Sequence, residues 1–253
     1  MNNLELGLLF PAFICGLLVL STHIPFGMSV LQRGIIFADL AVAQIAGLGV
    51  IIAGLLELSH NPLLVQFIAA GSALCGATLL AWIDKHGNSV KEAYIGLTFV
   101  LSASLGILLM SRDEHAGEHL QDLLVGQILW VNHNQLIATA LLSVVLLVLW
   151  RIARQRQSDF AFYLLFALAV TASVQLVGIY LVFASLIVPA LATHRHTQKR
   201  PIYAFGVGIC GYVFGLLLSV WMDLPAGAAI VCVMTLAGAI VLMTAPARKL
   251  NET

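Results

Sequence analysis

Charged residues are scarce in this chain of 253 residues: only 9% are Asp, Glu, Lys or Arg, while 60% are hydrophobic. A soluble domain carries about 25% charged residues, because water must solvate its surface. The composition therefore excludes an ordinary soluble globule. A bilayer hides an apolar surface from water, and each helical crossing needs about 20 mostly apolar residues. We expect an all-α bundle of transmembrane helices with eight or nine spans, forming a single domain over residues 1–253.

Motifs typical of a nucleotide site or an enzyme are also missing. The four cysteines stand singly inside apolar runs, so their spacing indicates neither a zinc knuckle nor a redox pair. The sequence has no Gly-x-x-x-x-Gly-Lys-Ser/Thr loop and no Gly-x-Ser-x-Gly elbow. We therefore expect no enzymatic activity, no permanently bound cofactor and no nucleic-acid partner. Any use of ATP would require another subunit.

The few charges are sorted to one side of the apolar stretches. These stretches lie at 7–24, 36–56, 63–83, 93–111, 136–150, 160–193, 202–221 and 226–245. If the loop after the first stretch is cytoplasmic, every Lys and Arg except Arg112 falls on the inner side, as the positive-inside rule requires. Basic clusters then flank both ends of 160–193, so this stretch must cross the membrane twice.

The stretch 160–193 is shorter than the roughly 40 residues that two full spans need. We therefore expect two short helices that meet below the outer surface. Backbone that leaves helical pairing at membrane depth survives only where protein buries it or where it lines a wet cavity. The segment from Gln175 to Ile179 is thus expected to face a pore or a subunit seam, with Gly178 as the break point.

One carboxylate, that of Asp39, stands deep in an apolar stretch. An unpaired charge at membrane depth costs on the order of 3 kcal/mol, so we expect it to face the bundle interior or a water-filled path and to bind a metal cation there. A structural alternative stays open, in which Asp39 lies near the inner interface and caps backbone groups. Gln44, a second candidate ligand, lies about 140° around the helix, so the two do not share one face.

A polar loop on the expected outer side carries the other candidate metal ligands. His115 and His119 are four residues apart, as are Glu118 and Asp122, so a helix would gather imidazoles and carboxylates on adjoining faces. Both groups suit zinc and other borderline divalent ions. The alternative of a solvated loop, whose acidity only reflects its position outside, stays equally open.

Several segments, taken in order along the chain, resemble signatures of one transporter family. They lie at 31–49, 93–109, 122–129 (Asp-Leu-Leu-Val-Gly-Gln-Ile-Leu), 173–190 and 223–227 (Asp-Leu-Pro-Ala-Gly). These segments are similar to the ABC-3 family, the integral membrane subunits of bacterial zinc, manganese and iron importers. The resemblance extends over most of the chain.

The resemblance implies a fold, a location and partners. It implies a fold like that of the vitamin B12 importer permease, in the bacterial cytoplasmic (inner) membrane. It further implies a homodimer, two cytoplasmic ATPase subunits and an external metal-binding protein. The residues that would couple to the ATPase are the arginines of the inner loops: Arg151, Arg154, Arg156, Arg195 and Arg200.

Two departures from the family pattern bear on this interpretation. The family usually has a His four residues after the Asp of its second helix, whereas this chain has Ala43. The resemblance therefore does not imply a metal site of the usual form here. The family also has a longer inner stretch after the fifth span, where this chain has only 151–159, so docking is expected to use 193–200 as well.

These observations favour the permease subunit of an ATP-binding-cassette importer for divalent cations, with zinc as the expected cargo. Asp39 would lower the barrier for a partly dehydrated cation at membrane depth. The alternative is a proton-coupled secondary metal transporter or exporter, in which Asp39 carries the proton. The presence or absence of an associated ATPase subunit distinguishes the two.

Overall fold

A computed structural model describes residues 3–56, 58, 61–111, 124–156, 158–196 and 199–244. Within these ranges the chain forms nine α-helices and no strand, which confirms the all-α prediction. The helices are α1 (Asn3–Arg33), α2 (Ala38–Leu55), α3 (Pro62–His86), α4 (Lys91–Met110), α5 (His133–Gln155), α6 (Asp159–Val177), α7 (Ile179–Ala192), α8 (Arg200–Met222) and α9 (Ala226–Thr244). Two short 3₁₀ turns, Asn88–Val90 and Ile128–Trp130, precede α4 and α5.

Eight helices in the described part of the chain are long and apolar enough to cross a bilayer. The ninth, α7, has 14 residues. At about 1.5 Å per residue it rises about 21 Å, which is short of the ~30 Å hydrocarbon core. Together α6 and α7 fill the stretch predicted to hold two helices, and the break between them falls at Gly178 as expected. Eight full spans and one short helix agree with the predicted eight or nine.

Polar caps define where several helices begin. The Asn61 side chain accepts a hydrogen bond from the Leu64 amide at the start of α3. Asn132 and Gln135 form a reciprocal capping box at the start of α5. The Ser158 hydroxyl accepts from the Ala161 amide at the start of α6. Each cap satisfies an amide that has no partner within its own helix, which fixes where the preceding connection ends.

Small residues let the helices approach closely. In α8, Gly211 lies against Met234 of α9 and Gly215 against Ile230. In α1, Gly27 lies against the backbone of Leu186 in α7. Helices in lipid associate through van der Waals packing, and the lack of a side chain at these glycines brings the two helices close enough for that packing.

The first helix is the hub of the bundle, since it contacts α5, α6, α7 and α8. Towards its inner end Phe26 packs against Trp150 of α5 and against Phe162 and Phe166 of α6, with ring centroids 5.9–6.0 Å apart. Higher up, Gly16 lies against the ring of a buried tyrosine in α8, Tyr212. The buried core therefore extends along α1 from its inner end towards its first residues.

Candidate functional site

Asp39 lies in the first turn of α2, just after a left-handed Gly34 (φ 65°) that turns the chain out of α1. Its side chain is buried, with 1% of the residue exposed, and neither carboxylate oxygen makes a hydrogen bond to the described residues. The amides of Asp39 and Leu40 lie nearby without hydrogen-bond geometry. The carboxylate is thus enclosed by protein and not exposed to lipid. Its place at a helix start also fits the structural alternative, since the helix dipole favours a negative charge there.

A second carboxylate reaches the start of α2 from α4. Glu92 Oε1 accepts a hydrogen bond from the backbone amide of Phe37 at 2.9 Å, two residues before Asp39. Glu92 Oε2 is buried and has no hydrogen-bond partner among the described residues. Sequence reasoning missed Glu92, because an acidic residue in the first turn of a helix is common and its partner, the Phe37 amide, is far away in the chain.

An ion-pair network joins the inner ends of four helices. Arg33 of α1 lies 2.8 Å from Asp159 of α6 and 3.7 Å from Asp84 of α3, measured between nitrogen and oxygen. Lys91 of α4 lies 2.8 Å from the other oxygen of Asp84. The Arg33 guanidinium also stacks over the Phe162 ring at 4.4 Å. These contacts bring together the helix ends that the charge pattern assigned to one side of the membrane.

The predicted coupling arginines lie at this same inner end. Arg151, Arg154, Arg156 and Arg195 are exposed. Arg154 stacks over the Trp150 ring at 5.3 Å. Arg200 is half-buried and donates a hydrogen bond to the carbonyl of Ala190 at 3.2 Å, so it holds the end of α7 to the start of α8. Contact with an ATPase stays a prediction for all five.

An open cavity of about 530 Å³ lies between the inner ends of α1, α5 and α6. Arg33 and Asp159 line it together with Arg154 and Trp150. The ion pair between α1 and α6 therefore has open space beside it.

A smaller cavity, of about 210 Å³, contains the other candidate ligand in α2. Gln44 lines it with Gly47, Gly106 of α4 and Ile179, the first residue of α7. Asp39 is not among the lining residues. The structure therefore does not bring Asp39 and Gln44 to one site, in agreement with their predicted angular separation. It does bring Gln44 close to the helix break.

At the outer end, three of the family-like segments meet at a junction of glycine backbones. Gly126 (φ 70°) and Gly178 (φ 79°) both adopt the left-handed conformation, and a Cβ on either would collide with the backbone of the other segment. A Cβ on Gly227 would collide with the carbonyl of Val125. The sequence placed a break at Gly178, but it did not predict these contacts. We call Gly126, Gly178 and Gly227 the glycine junction.

Beside the break, two polar side chains point away from the core of the single chain. Gln175, in the last turn of α6, is exposed, and Tyr180, in the first turn of α7, is 52% exposed. The residues between them are buried. An amide on the surface of a membrane-spanning helix is costly in lipid, since nothing there can hydrogen-bond to it. This surface is therefore unlike that of α5, where Leu141, Val144 and Val148 are exposed.

The outer polar loop cannot be compared with the structure, because His115, Glu118, His119 and Asp122 lie outside the described residues. Within the residues that are described, no group of three or more His, Cys, Asp or Glu side chains could hold a metal ion. The predicted ligands of the outer loop stay predictions.

Comparisons with known proteins agree with the fold and the motifs. A model of the ABC 3 transport family matches residues 5–158 and 154–245. The chain is 26% identical over 243 residues to the manganese transport system membrane protein MntC of Halalkalibacterium halodurans, which covers 87% of this chain and 78% of that protein. It is 23% identical over 247 residues to the high-affinity zinc uptake system membrane protein ZnuB of Haemophilus influenzae, covering 88% and 92%.

A solved structure of PsaBC from Streptococcus pneumoniae in complex with Fab has the same fold. Its TM-score is 0.73 at 22% identity, covering 94% of this chain and 91% of that chain. The predictions of a permease-like fold and of a multi-pass protein in the bacterial cytoplasmic membrane are confirmed. Because the family model matches nearly the whole length of the sequence, the chain belongs to the ABC 3 transport family.

Proposed function

We propose that this chain is the membrane-spanning permease subunit of an ATP-binding-cassette importer for divalent metal cations, with zinc as its cargo. Two copies would form the path, cytoplasmic ATPase subunits would drive it and an external protein would deliver the ion. Family membership supports the transport role, and the named relatives carry manganese and zinc. Zinc is the sharper proposal, because the imidazoles and carboxylates of 115–122 suit it.

The observation that carries this proposal is the buried, unpaired carboxylate of Asp39. No cation of the described residues pairs with it, and its oxygens accept no hydrogen bond from them. A buried charge without a partner is strongly unfavourable, so such a group is retained where it has a use. A passing divalent cation supplies the missing countercharge.

Asp39 would act by stabilising the ion where water is scarce. A cation that enters the bundle loses part of its hydration, and a carboxylate in a low-dielectric setting offsets that loss. Glu92, hydrogen-bonded to the Phe37 amide at the entrance to α2, adds a second negative charge at this end. Both residues lie at the inner end of the bundle, so we place this step late in import, just before release into the cytoplasm.

The exposed Gln175 and Tyr180 support a homodimer. In a single chain these polar groups would face lipid, whereas a second copy or a water-filled path would satisfy them. Ile179, which lies between them in the chain, lines the cavity with Gln44. We therefore propose that the seam between the two copies runs along the α6–α7 break. The ion would pass from the seam towards Asp39.

Growth rescue tests the function. The chain is expressed with its ATPase and binding protein in a bacterial strain that lacks its own zinc, manganese and iron importers, and growth is measured with one metal limiting at a time. We expect rescue under zinc limitation. Rescue by manganese or iron alone would contradict zinc as the cargo but would still support an importer of divalent cations. Rescue that persists without the ATPase would favour the proton-coupled alternative.

Asp39→Asn tests the residue. We expect uptake to fall about a hundredfold, since about 3 kcal/mol of lost ion stabilisation corresponds to two decades in rate. Asp223→Asn is the matched control. Asp223 is exposed at the opposite end with φ 51°, a conformation that Asn also tolerates. The control should transport normally. Normal uptake by Asp39→Asn would refute the role of Asp39.

A further inference from the structure

The ion pair between Arg33 and Asp159 joins two segments with different proposed tasks. Asp159 is the first residue of α6, and Arg151 and Arg154, two of the proposed ATPase-facing arginines, lie at the end of α5 just before it. The inner stretch 151–159 expected from the sequence is thus mostly the end of α5. Arg33 ends α1, immediately before the turn that leads to Asp39. The two side chains are 2.8 Å apart. This contact therefore connects the region proposed to dock the ATPase with the turn between α1 and α2, which positions the proposed ion-binding carboxylate.

The pair is built to separate easily. The Asp159 side chain is 71% exposed, and an exposed ion pair contributes little to stability. Both residues line the open cavity of about 530 Å³, so their side chains can part without a steric clash. Arg33 also keeps a second, longer contact to Asp84 and its stacking on Phe162, which would hold it when Asp159 leaves.

The turn after Arg33 transmits such a movement over a short distance. It is anchored at its start by Arg33 and at its end by the Glu92 carboxylate on the Phe37 amide. Gly34, in the left-handed conformation, lies between these two anchors. Only two residues separate the second anchor from Asp39, which is in the first turn of α2. Within the turn, the amides of Gly34, Ile35 and Ala38 donate hydrogen bonds to the carbonyls of Leu31, Val30 and Ile35. The turn is thus tied to both helices, and a displacement of Arg33 is passed on to the start of α2.

We propose that the Arg33–Asp159 ion pair is the positioning contact that links the inner docking segment to Asp39. When the ATPase moves the inner ends of α5 and α6, Asp159 parts from Arg33, Arg33 moves towards Asp84, and the turn 34–37 shifts the Asp39 carboxylate relative to the ion path. Arg33 and Asp159 do not touch the ion, so their role is to couple. This inference rests on the proposed function, because it names how the two proposed sites of one transporter communicate.

The test uses the complete complex of this chain, its ATPase and its binding protein, reconstituted in proteoliposomes. Zinc uptake and ATP hydrolysis are measured in the same vesicles for wild type, Arg33→Gln, Asp159→Asn and the double variant. Arg33→Lys keeps the charge and serves as the conservative rescue. Lys85→Gln is the matched control, since Lys85 is an exposed inner cation that forms no ion pair among the described residues.

We expect each neutralising variant to lower the number of ions moved per ATP by about tenfold, within the range of measured coupling between sites. Hydrolysis and the amount of assembled complex should persist. The double variant should be no worse than either single variant, because both remove the same contact. Arg33→Lys should retain most of the coupling, and Lys85→Gln all of it.

Three results would overturn the link while the wild type still transports. The first is a normal ratio of ions to ATP in both single variants. The second is a proportional fall in uptake, hydrolysis and assembled complex, which indicates a purely structural role. The third is additive losses in the double variant. If the wild-type complex moves no metal at all, the proposed function fails, and this inference fails with it.

Discussion

The two ends of the bundle are held together in different ways. At the inner end, charged side chains connect four helices through Arg33, Asp84, Lys91 and Asp159. At the outer end, the glycine junction connects three segments through backbone contacts that leave no space for a side chain. Ion pairs between partly exposed side chains can break and re-form, whereas packed backbone has only one arrangement. The comparison indicates a rigid outer end and an adjustable inner end.

The expected energies differ accordingly. A partly exposed ion pair contributes about 0–1 kcal/mol and is screened by salt. A side chain forced into a left-handed backbone position costs about 1–3 kcal/mol, and overpacking adds a similar amount. The outer end therefore should dominate stability, while the inner end can change at little cost.

The largest effect is expected for Gly178→Ala. The new Cβ would be strained at φ 79° and would collide with the backbone at Gly126. We expect the free energy of unfolding to fall by about 3 kcal/mol or more. The measurement is the midpoint of thermal unfolding of the purified chain in lipid nanodiscs.

Gly96→Ala is the control for this substitution. Gly96 lies within α4, and no heavy atom lies within 4 Å of the place where its Cβ would be. Alanine should there be neutral or stabilise by up to about 1 kcal/mol. Equal unfolding midpoints for Gly178→Ala and Gly96→Ala would contradict the close backbone contact at the outer end.

An intermediate effect is expected for Gly227→Ala. Gly227 is the second residue of α9, and its added Cβ would collide with one carbonyl, that of Val125. It has no positive φ to add strain, and alanine gains helix propensity. We therefore expect a loss of about 1–2 kcal/mol, measured by the same unfolding midpoint. A loss as large as that of Gly178→Ala would show that collision, not backbone conformation, sets the energy of the junction.

The smallest effect is expected for Asp84→Asn. This change removes the carboxylate that Arg33 and Lys91 share, at a cost of about 1 kcal/mol or less. The difference from wild type should shrink as salt is raised to about 1 M, because ions of the salt reach and screen these partly exposed charges. The effect of Gly178→Ala should not change with salt. A salt-independent loss for Asp84→Asn would show that the inner end is as fixed as the outer one.

Much of the fold could be predicted because it depends on short stretches of sequence. The length of the apolar stretches predicted the spans, the charge pattern predicted which helix ends lie together, and the short stretch 160–193 predicted the break at Gly178. The burial of Asp39 also followed, since lipid excludes an unpaired charge.

The partners of the charged residues could not be predicted in this way. Asp84 and Asp159 are ordinary inner-side acids in the sequence, and their shared contact with Arg33 depends on how α3 packs against α6 and how α6 packs against α1. The same holds for Glu92 and the Phe37 amide, which are 55 residues apart. Gly126 was part of a family-like segment, but its contact with Gly178 requires two segments that are distant in sequence to lie side by side.

The first helix contains Pro25, between its aromatic contacts and its start. Proline has no N–H to donate to the preceding turn, so the last part of α1 is joined to the rest by a weakened ladder. Arg33 is the last residue of that part, eight residues further on. Pro25 therefore marks the position where α1 can bend. Bending there would move Arg33 sideways while the part of α1 before Pro25 stays packed.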